Sequence, residues 1–155
     1  MHGHGRRLRQ VRGPAAEGGT PIERVVLVRR YRCVRCKVVV TVVPADVLPR
    51  KHYGATAIAL AVALFGLLGF SIAQVRRAVS TWSTQGPGAR GWSTLQTWID
   101  AAVAQAIWPH ARAGPAGSSR RAHAQRLAMS LAGHAPLGTG GTLLHQACVG
   151  ASHIG

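Results

Sequence analysis

Two cysteines separated by two residues are the clearest candidates for chemistry in this 155-residue sequence. Cys33 and Cys36 form a C-V-R-C motif, and thiolates at this spacing can both bind one tetrahedral zinc ion. A structural zinc site needs four ligands. His2 and His4 could complete a Cys2His2 site, Cys148 is a more distant third cysteine, and the alternative is two free thiols with no metal. The motif therefore predicts zinc binding at an incomplete site.

Carboxylates are scarce for a two-metal catalytic site. The acidic residues are Glu17, Glu23, Asp46 and Asp100, and no two of them form a recognisable paired motif. A two-metal nuclease or a transposase core needs several convergent carboxylates to hold its ions. The scattered histidines also lack a metal-binding spacing on one helix and a family-like motif that sets them against a nucleophile. We therefore expect no enzymatic activity. Three cysteines without a secretory signal favour a cytoplasmic protein.

The charge balance predicts an anionic partner. Nineteen Lys and Arg residues oppose four Asp and Glu residues, which gives a formal charge of +15. Lys37 and Lys51 are the only lysines, and the planar guanidinium of Arg suits phosphate groups and base edges. Nucleic acid is the expected partner, with no small-molecule substrate. A genome rich in G and C, which enriches Arg, Ala and Gly everywhere, is the alternative explanation.

Two runs of β-branched residues flank the cysteines. ERVVLVRRYRC and CKVVVTVVP predict a β-hairpin with the C-V-R-C motif at its turn, and residues 1–21 predict a short basic strand or arm followed by a loop. Such strands could bind phosphate along DNA, or their charges could protect the sheet edges from aggregation. The arginines concerned are Arg6, Arg7, Arg9, Arg12, Arg29, Arg30, Arg32 and Arg35.

The uncharged stretch 54–75 has two interpretations. As a membrane span it is long enough but only marginally apolar, because Gly, Ser, Thr and Gln interrupt it. As soluble structure it predicts a helix over about 55–67, a break at Gly69, and a second helix opened by the capping box Ser71-x-x-Gln74. This second helix would bury Ile72, Val75 and Val79 and expose Arg76 and Arg77. We favour the soluble interpretation because a membrane span has no need of a capping box.

A third helix is predicted from a second Ser-x-x-Gln spacing at Ser93. Its expected core positions are Leu95, Trp98, Ile99, Ala102, Val103, Ala106 and Ile107, and Pro109 is expected to end it. In a helix-turn-helix, the N-terminal polar residues of the recognition helix face base edges in the major groove. The candidate DNA-binding residues are Arg76, Arg77, Arg90, Thr94, Gln96 and Thr97. The same pattern also fits an ordinary helical core.

The C-terminal third is predicted to be less regular. Residues 110–119 predict a linker, 120–132 a basic amphipathic helix, and the small residues beyond Gly133 a poorly ordered tail. The expected domains are a truncated zinc-ribbon-like β-hairpin over 1–50, a helix-turn-helix bundle over 51–108, and a basic linker, helix and flexible tail over 109–155.

The ordered set RRYRCVRC, VVVTVVPADVLPRKHYG, GFSIAQVRRAVS and ARGWSTLQTW resembles a bacterial domain of unknown function, built like the N-terminal zinc-ribbon and helix-turn-helix region of insertion-element transposases. The resemblance covers about residues 2–107. It implies that Cys33 and Cys36 are surviving zinc ligands, with a first C-x-x-C pair missing before the first strand. It also implies a second helix over 71–80, a recognition helix over 93–102, and no catalytic core.

The sequence thus predicts an α+β protein, mainly α, in which a short zinc-ribbon-like β-hairpin precedes a helix-turn-helix three-helix unit and a C-terminal helix. The expected function is non-catalytic DNA binding of the mobile-element, transposase-related type. The rivals are a single-pass membrane protein with a span at about 54–75, a general RNA-binding or nucleic-acid-binding protein, and a non-functional reading-frame fragment.

Overall fold

The computed structural model describes residues 1–82 and 92–155, and within them it contains a three-stranded antiparallel sheet and five α-helices. The α+β class is therefore confirmed. The strands are β1 (His2–Gly13), β2 (Ile22–Arg32) and β3 (Val39–Val42). The helices are α1 (Ala55–Gly66), α2 (Ile72–Val79), α3 (Thr94–Val103), α4 (Arg120–Ala132) and α5 (Leu143–His153).

The sheet has the order β1-β2-β3, with β2 in the middle. Alternation along β2 separates a face that includes buried Val28 from a face on which Val25 and Leu27 are exposed. The predicted hairpin around the cysteines is confirmed, because β2 and β3 pair antiparallel and the Cys33 amide donates to the carbonyl of Val38. Lys37, at φ +62, makes the left-handed turn that returns the chain into β3.

Gly13 fixes where the sheet meets the helices. Its φ is +100, and a Cβ at this position would overlap the methyl group of Ala57 on α1. Only glycine satisfies both the backbone conformation and the close approach. The end of β1 is thereby placed directly against the first turn of α1.

Helix α1 is the centre of the core. Every residue from Ala55 to Leu64 is buried, and the helix contacts all four other helices. A helix that is apolar on all sides is either a membrane span or a fully packed core helix, and α1 is packed on all sides by protein. No helix among the described residues is long and apolar enough to cross a membrane.

The predicted break and capping box between α1 and α2 are confirmed. Gly69 has φ +72, the Gln74 amide donates to Ser71 Oγ, and the Ser71 amide donates to Gln74 Oε1. Val75 and Val79 are buried as predicted, whereas Ile72 is only partly buried. Arg77 is exposed, but the prediction of an exposed Arg76 is wrong, since that side chain is partly buried.

Helix α3 begins where predicted, but its capping box does not form. Ser93 has helical backbone angles and its side chain makes no capping hydrogen bond. The helix ends at Val103, before Pro109, and left-handed residues Gln105 and Trp108 follow it. Four of the expected core positions are buried on α3 itself: Leu95, Trp98, Ile99 and Ala102. The expectation is wrong for Val103 and Ala106, which are exposed. Ile107 is buried, but it lies beyond the end of the helix.

The C-terminal helices complete the core. Helix α4 has the predicted bounds, but the expectation of a poorly ordered tail is wrong over 143–153, where α5 packs against α1 and α4. Glycines allow this close packing: a Cβ at Gly66 of α1 would overlap the backbone of α4, and a Cβ at Gly150 of α5 would overlap the Leu131 carbonyl oxygen. Thr142 caps α5 and also donates to the carboxylate of Glu17.

Candidate nucleic-acid interface

All four carboxylates of the chain are held by partners within the fold. Glu23 pairs with Arg12 at 2.9 Å, Asp46 pairs with Arg24, and Asp100 lies 3.4 Å from Arg120. Glu17 accepts from Thr142. Four carboxylates cannot neutralise nineteen Lys and Arg residues, so a large excess of positive charge remains on the surface.

Part of that excess charge lies at the edge of the sheet where β1 begins and β2 ends. Arg6 of β1 and Arg29 of β2 are paired directly across the ladder next to a register shift, and both are exposed. Like charges directly opposite each other destabilise a sheet unless an anion lies between them. A small cavity of about 180 Å³ adjoins this pair and is also lined by Arg30 and Tyr31. The pair is therefore a candidate phosphate contact.

The predicted DNA-binding residues of the helices lie on two elements that both pack against α1. Arg76 and Arg77 occupy the last turn of α2, and Thr94, Gln96 and Thr97 occupy the first turns of α3. Thr97 is exposed, whereas Thr94 and Gln96 are partly buried. Arg90, the sixth of the predicted residues, lies outside the described residues.

The buried Trp98 fixes the orientation of α3. The Trp98 ring packs edge-on against Tyr53 at 4.9 Å and against Trp92 at 5.4 Å between ring centroids. With Leu95 and Ile99 also buried, Thr97 and Asp100 face away from the core. Thr97 Oγ1 donates to the Ser93 carbonyl, so this hydroxyl already has one partner within the helix.

The cysteine turn has a geometry that favours a thiolate. Backbone N–H groups of Cys36 and then Arg35 are directed at the Cys33 sulfur and lower the pKa of its thiol. Cys33 is partly buried and Cys36 is exposed. Within residues 1–82 and 92–155, however, no three His, Cys, Asp or Glu side chains are grouped so that they could hold a metal ion. Neither His2, His4 nor Cys148 completes the site, so these donors do not fit a four-coordinate zinc ion.

Cys148 is a structural residue. It lies in the core, its Sγ is 3.7 Å from the Thr56 carbonyl oxygen, and burial raises the pKa of its thiol to about 12, with a smaller contribution from the charge of Glu17.

One basic feature was missed in the sequence. Arg50, Lys51 and His52 lie in the turn before α1, and the fold places them beside Arg7 and Arg9 of β1. The run R-K-H was visible in the sequence, but its distance of about forty residues from β1 concealed the association. These residues line a groove of about 670 Å³, which is larger than the cavity of about 180 Å³ beside Arg6 and Arg29.

The comparisons with known proteins give one match. The family described as Domain of unknown function (DUF6431) matches residues 1–82, which include the sheet, α1 and α2. No curated protein and no solved structure is detectably similar to the chain. Since the match covers more than half of the sequence, the chain belongs to the DUF6431 family of domains of unknown function.

Proposed function

We propose that this protein binds DNA without catalysing a reaction on it, as a cytoplasmic module of the type found at the N-terminus of insertion-element transposases. The observation that supports this most is the charge balance: the fold engages all four carboxylates, and these cannot neutralise nineteen Lys and Arg residues. The exposed pair Arg6 and Arg29 is one place where that anion would relieve repulsion.

In the proposed complex, the sheet contributes affinity and α3 contributes sequence preference. Guanidinium contacts to phosphates are strong and insensitive to sequence. Base edges are discriminated by amide and hydroxyl side chains, and Gln96 can form two hydrogen bonds to adenine. Thr94 and Thr97 would contact phosphate or a thymine methyl group, and Arg76, Arg77 and Arg90 would contact the flanking backbone. This arrangement treats α2 and α3 as the two helices of a helix-turn-helix.

Zinc binding is a separate element of this proposal. Cys33 and Cys36 supply two sulfur ligands at most, so the proposal includes zinc only at an incomplete ribbon-type site. No step of DNA binding depends on the metal, since the described residues supply only this pair.

The test is a gel-shift titration of the whole chain against a pool of random duplexes at two salt concentrations, followed by the double variant Gln96→Ala, Thr97→Ala. We expect wild-type affinity to fall steeply with salt, and the double variant to lose sequence preference with little loss of non-specific affinity. Gln125→Ala on the exposed surface of α4 is the matched control.

Three results would contradict parts of the proposal. Unchanged sequence preference in the double variant would refute the role of α3. Equal binding to RNA and DNA without sequence preference would indicate a general nucleic-acid-binding protein. Absence of salt-dependent binding would refute DNA binding altogether.

A further inference from the structure

The groove beside β1 is built by specific contacts. Arg9 Nη2 donates to the carbonyl oxygens of Leu48 at 2.6 Å and Lys51 at 3.0 Å, so this arginine holds the turn 48–51 against the strand. The Arg12 amide donates to the His52 carbonyl, and the Gly54 amide donates to the Arg12 carbonyl. Strand and turn are thus joined along several residues, and the basic side chains of the turn are fixed beside those of β1.

The side chains that line the groove carry one sign of charge. Arg7, Arg9, Arg50 and Lys51 line it together with His52, and none of the described residues that line it is acidic. The nearby carboxylates are already occupied, Glu23 by Arg12 and Asp46 by Arg24. The remaining lining residues are Leu8, Gln10, Val25, Val28 and Thr41. Four permanent cations therefore border one groove, and an anion that enters it would gain favourable Coulomb energy from them.

The backbone conformation of Arg50 is a second observation that indicates a functional site at the groove. This residue has φ +57, in the left-handed region where a non-glycine residue is strained, and its side chain is exposed. Glycine would adopt the same turn without strain. Non-glycine residues held in such conformations cluster at functional sites, where the side chain is needed at that position.

We propose that this groove is the principal phosphate-binding site of the protein and that it takes the phosphodiester backbone of DNA. Arg7, Arg50 and Lys51 contact the phosphates, and Arg9 is a positioning residue that holds the turn. This inference rests on the proposed DNA binding but assigns most of the affinity to β1 and the turn before α1 rather than to the Arg6 and Arg29 pair.

The test compares two charge-matched double variants of the whole chain. Arg7→Gln with Arg50→Gly removes two cations from the groove, and glycine at position 50 relieves backbone strain instead of adding it. Arg112→Gln with Arg126→Gln removes two exposed cations at and near α4. Fluorescence anisotropy with a 20-base-pair duplex is measured for the wild type and both variants between 50 and 200 mM NaCl. Circular dichroism checks that each variant is folded.

The salt dependence gives the expected size of the effect. Each phosphate neutralised on duplex DNA contributes about −0.9 to the slope of log affinity against log salt, so loss of two contacts makes this slope less steep by about 1.8. Over this four-fold range of salt, the wild type should therefore lose about ten-fold more affinity than the groove variant. The α4 variant should keep the wild-type slope.

The outcomes separate this inference from the proposed function. Wild-type binding with equal slopes for the two double variants would refute the groove as the principal site while leaving DNA binding intact. No wild-type binding would refute both. Should the groove variant Arg7→Gln, Arg50→Gly be unfolded, Arg7→Gln alone must make the slope less steep by about 0.9, because the exposed Arg7 is not part of the contacts that hold the turn.

Discussion

The contact between α5 and α4 at Gly150 gives the sharpest stability prediction. In an otherwise open helix, Gly→Ala stabilises by about 0.8–1 kcal/mol because alanine has the higher helix propensity. Gly150 is not open. An added Cβ would overlap the Leu131 carbonyl oxygen and would lie 2.9 Å from the Leu131 carbonyl carbon and 3.0 Å from the Ala135 nitrogen. All three are backbone atoms, which cannot rotate away.

The expected magnitude follows from the displacement that relieves this overlap. The two helices must separate by about 1 Å, which forfeits a quarter to a half of the dispersion energy at the contact. Overpacking of this kind costs about 1–3 kcal/mol or more. We expect Gly150→Ala to destabilise the protein by about 2 kcal/mol net of helix propensity, which lowers Tm by about 4–8 °C in a chain of this size.

Thermal unfolding followed by circular dichroism at the helical band is the assay, and Gly133→Ala is the matched control. Gly133 follows α4 with φ −66, and a Cβ there would come no closer than 3.4 Å to its neighbours, so alanine should leave Tm unchanged or raise it. A Tm for Gly150→Ala at or above that of the wild type would show that α5 is not packed as described.

Two further predictions concern a cap and a thiol. Ser71→Ala should lower stability by about 1 kcal/mol in urea unfolding because it removes the cap of α2, whereas Ser93→Ala should change nothing because its side chain makes no cap, and equal losses would contradict this difference. Cys148 should resist iodoacetamide in the folded protein at pH 8, while Cys33 and Cys36 are alkylated, and labelling of all three without denaturant would contradict the buried position. The raised pKa of Cys148 also predicts how stability depends on pH. Below about pH 9 this thiol makes no pH-dependent contribution to the free energy of unfolding. Between about pH 9 and 12 the free energy of unfolding falls as pH rises, because only the unfolded state ionises there.

Local signals in the sequence predicted the elements well. Ser71 and Gln74 specified a helix start through hydrogen bonds between near neighbours. The helix predicted over 120–132 is α4, and the structure shows that the Ser119 hydroxyl caps it by accepting from the Ala122 amide. Ser93 and Gln96 have the same spacing but no cap, because Ser93 adopts helical angles from which its side chain does not reach the N3 amide.

What the sequence concealed depends on packing between distant segments. Helix α5 buries Ala147, Cys148, Gly150 and Ala151, small residues whose hydrophobic periodicity is weak, and it is held by close approach to α1 and α4. The basic groove was likewise hidden, since β1 and the turn at Arg50 meet only in the folded chain. Candidate DNA-binding residues could be named from residue type, but not their exposure.

Because α1 is central, the end of the family match does not coincide with the end of the packed unit around this helix. The recognisable family sequence ends at residue 82, yet α4 and α5, which cover much of α1, begin at residues 120 and 143. A protein cut at the family boundary would leave this apolar helix partly open to water and prone to self-association. We therefore expect residues 1–82 alone to fold poorly, and placing this segment in another protein would require other helices to cover the same surface of α1.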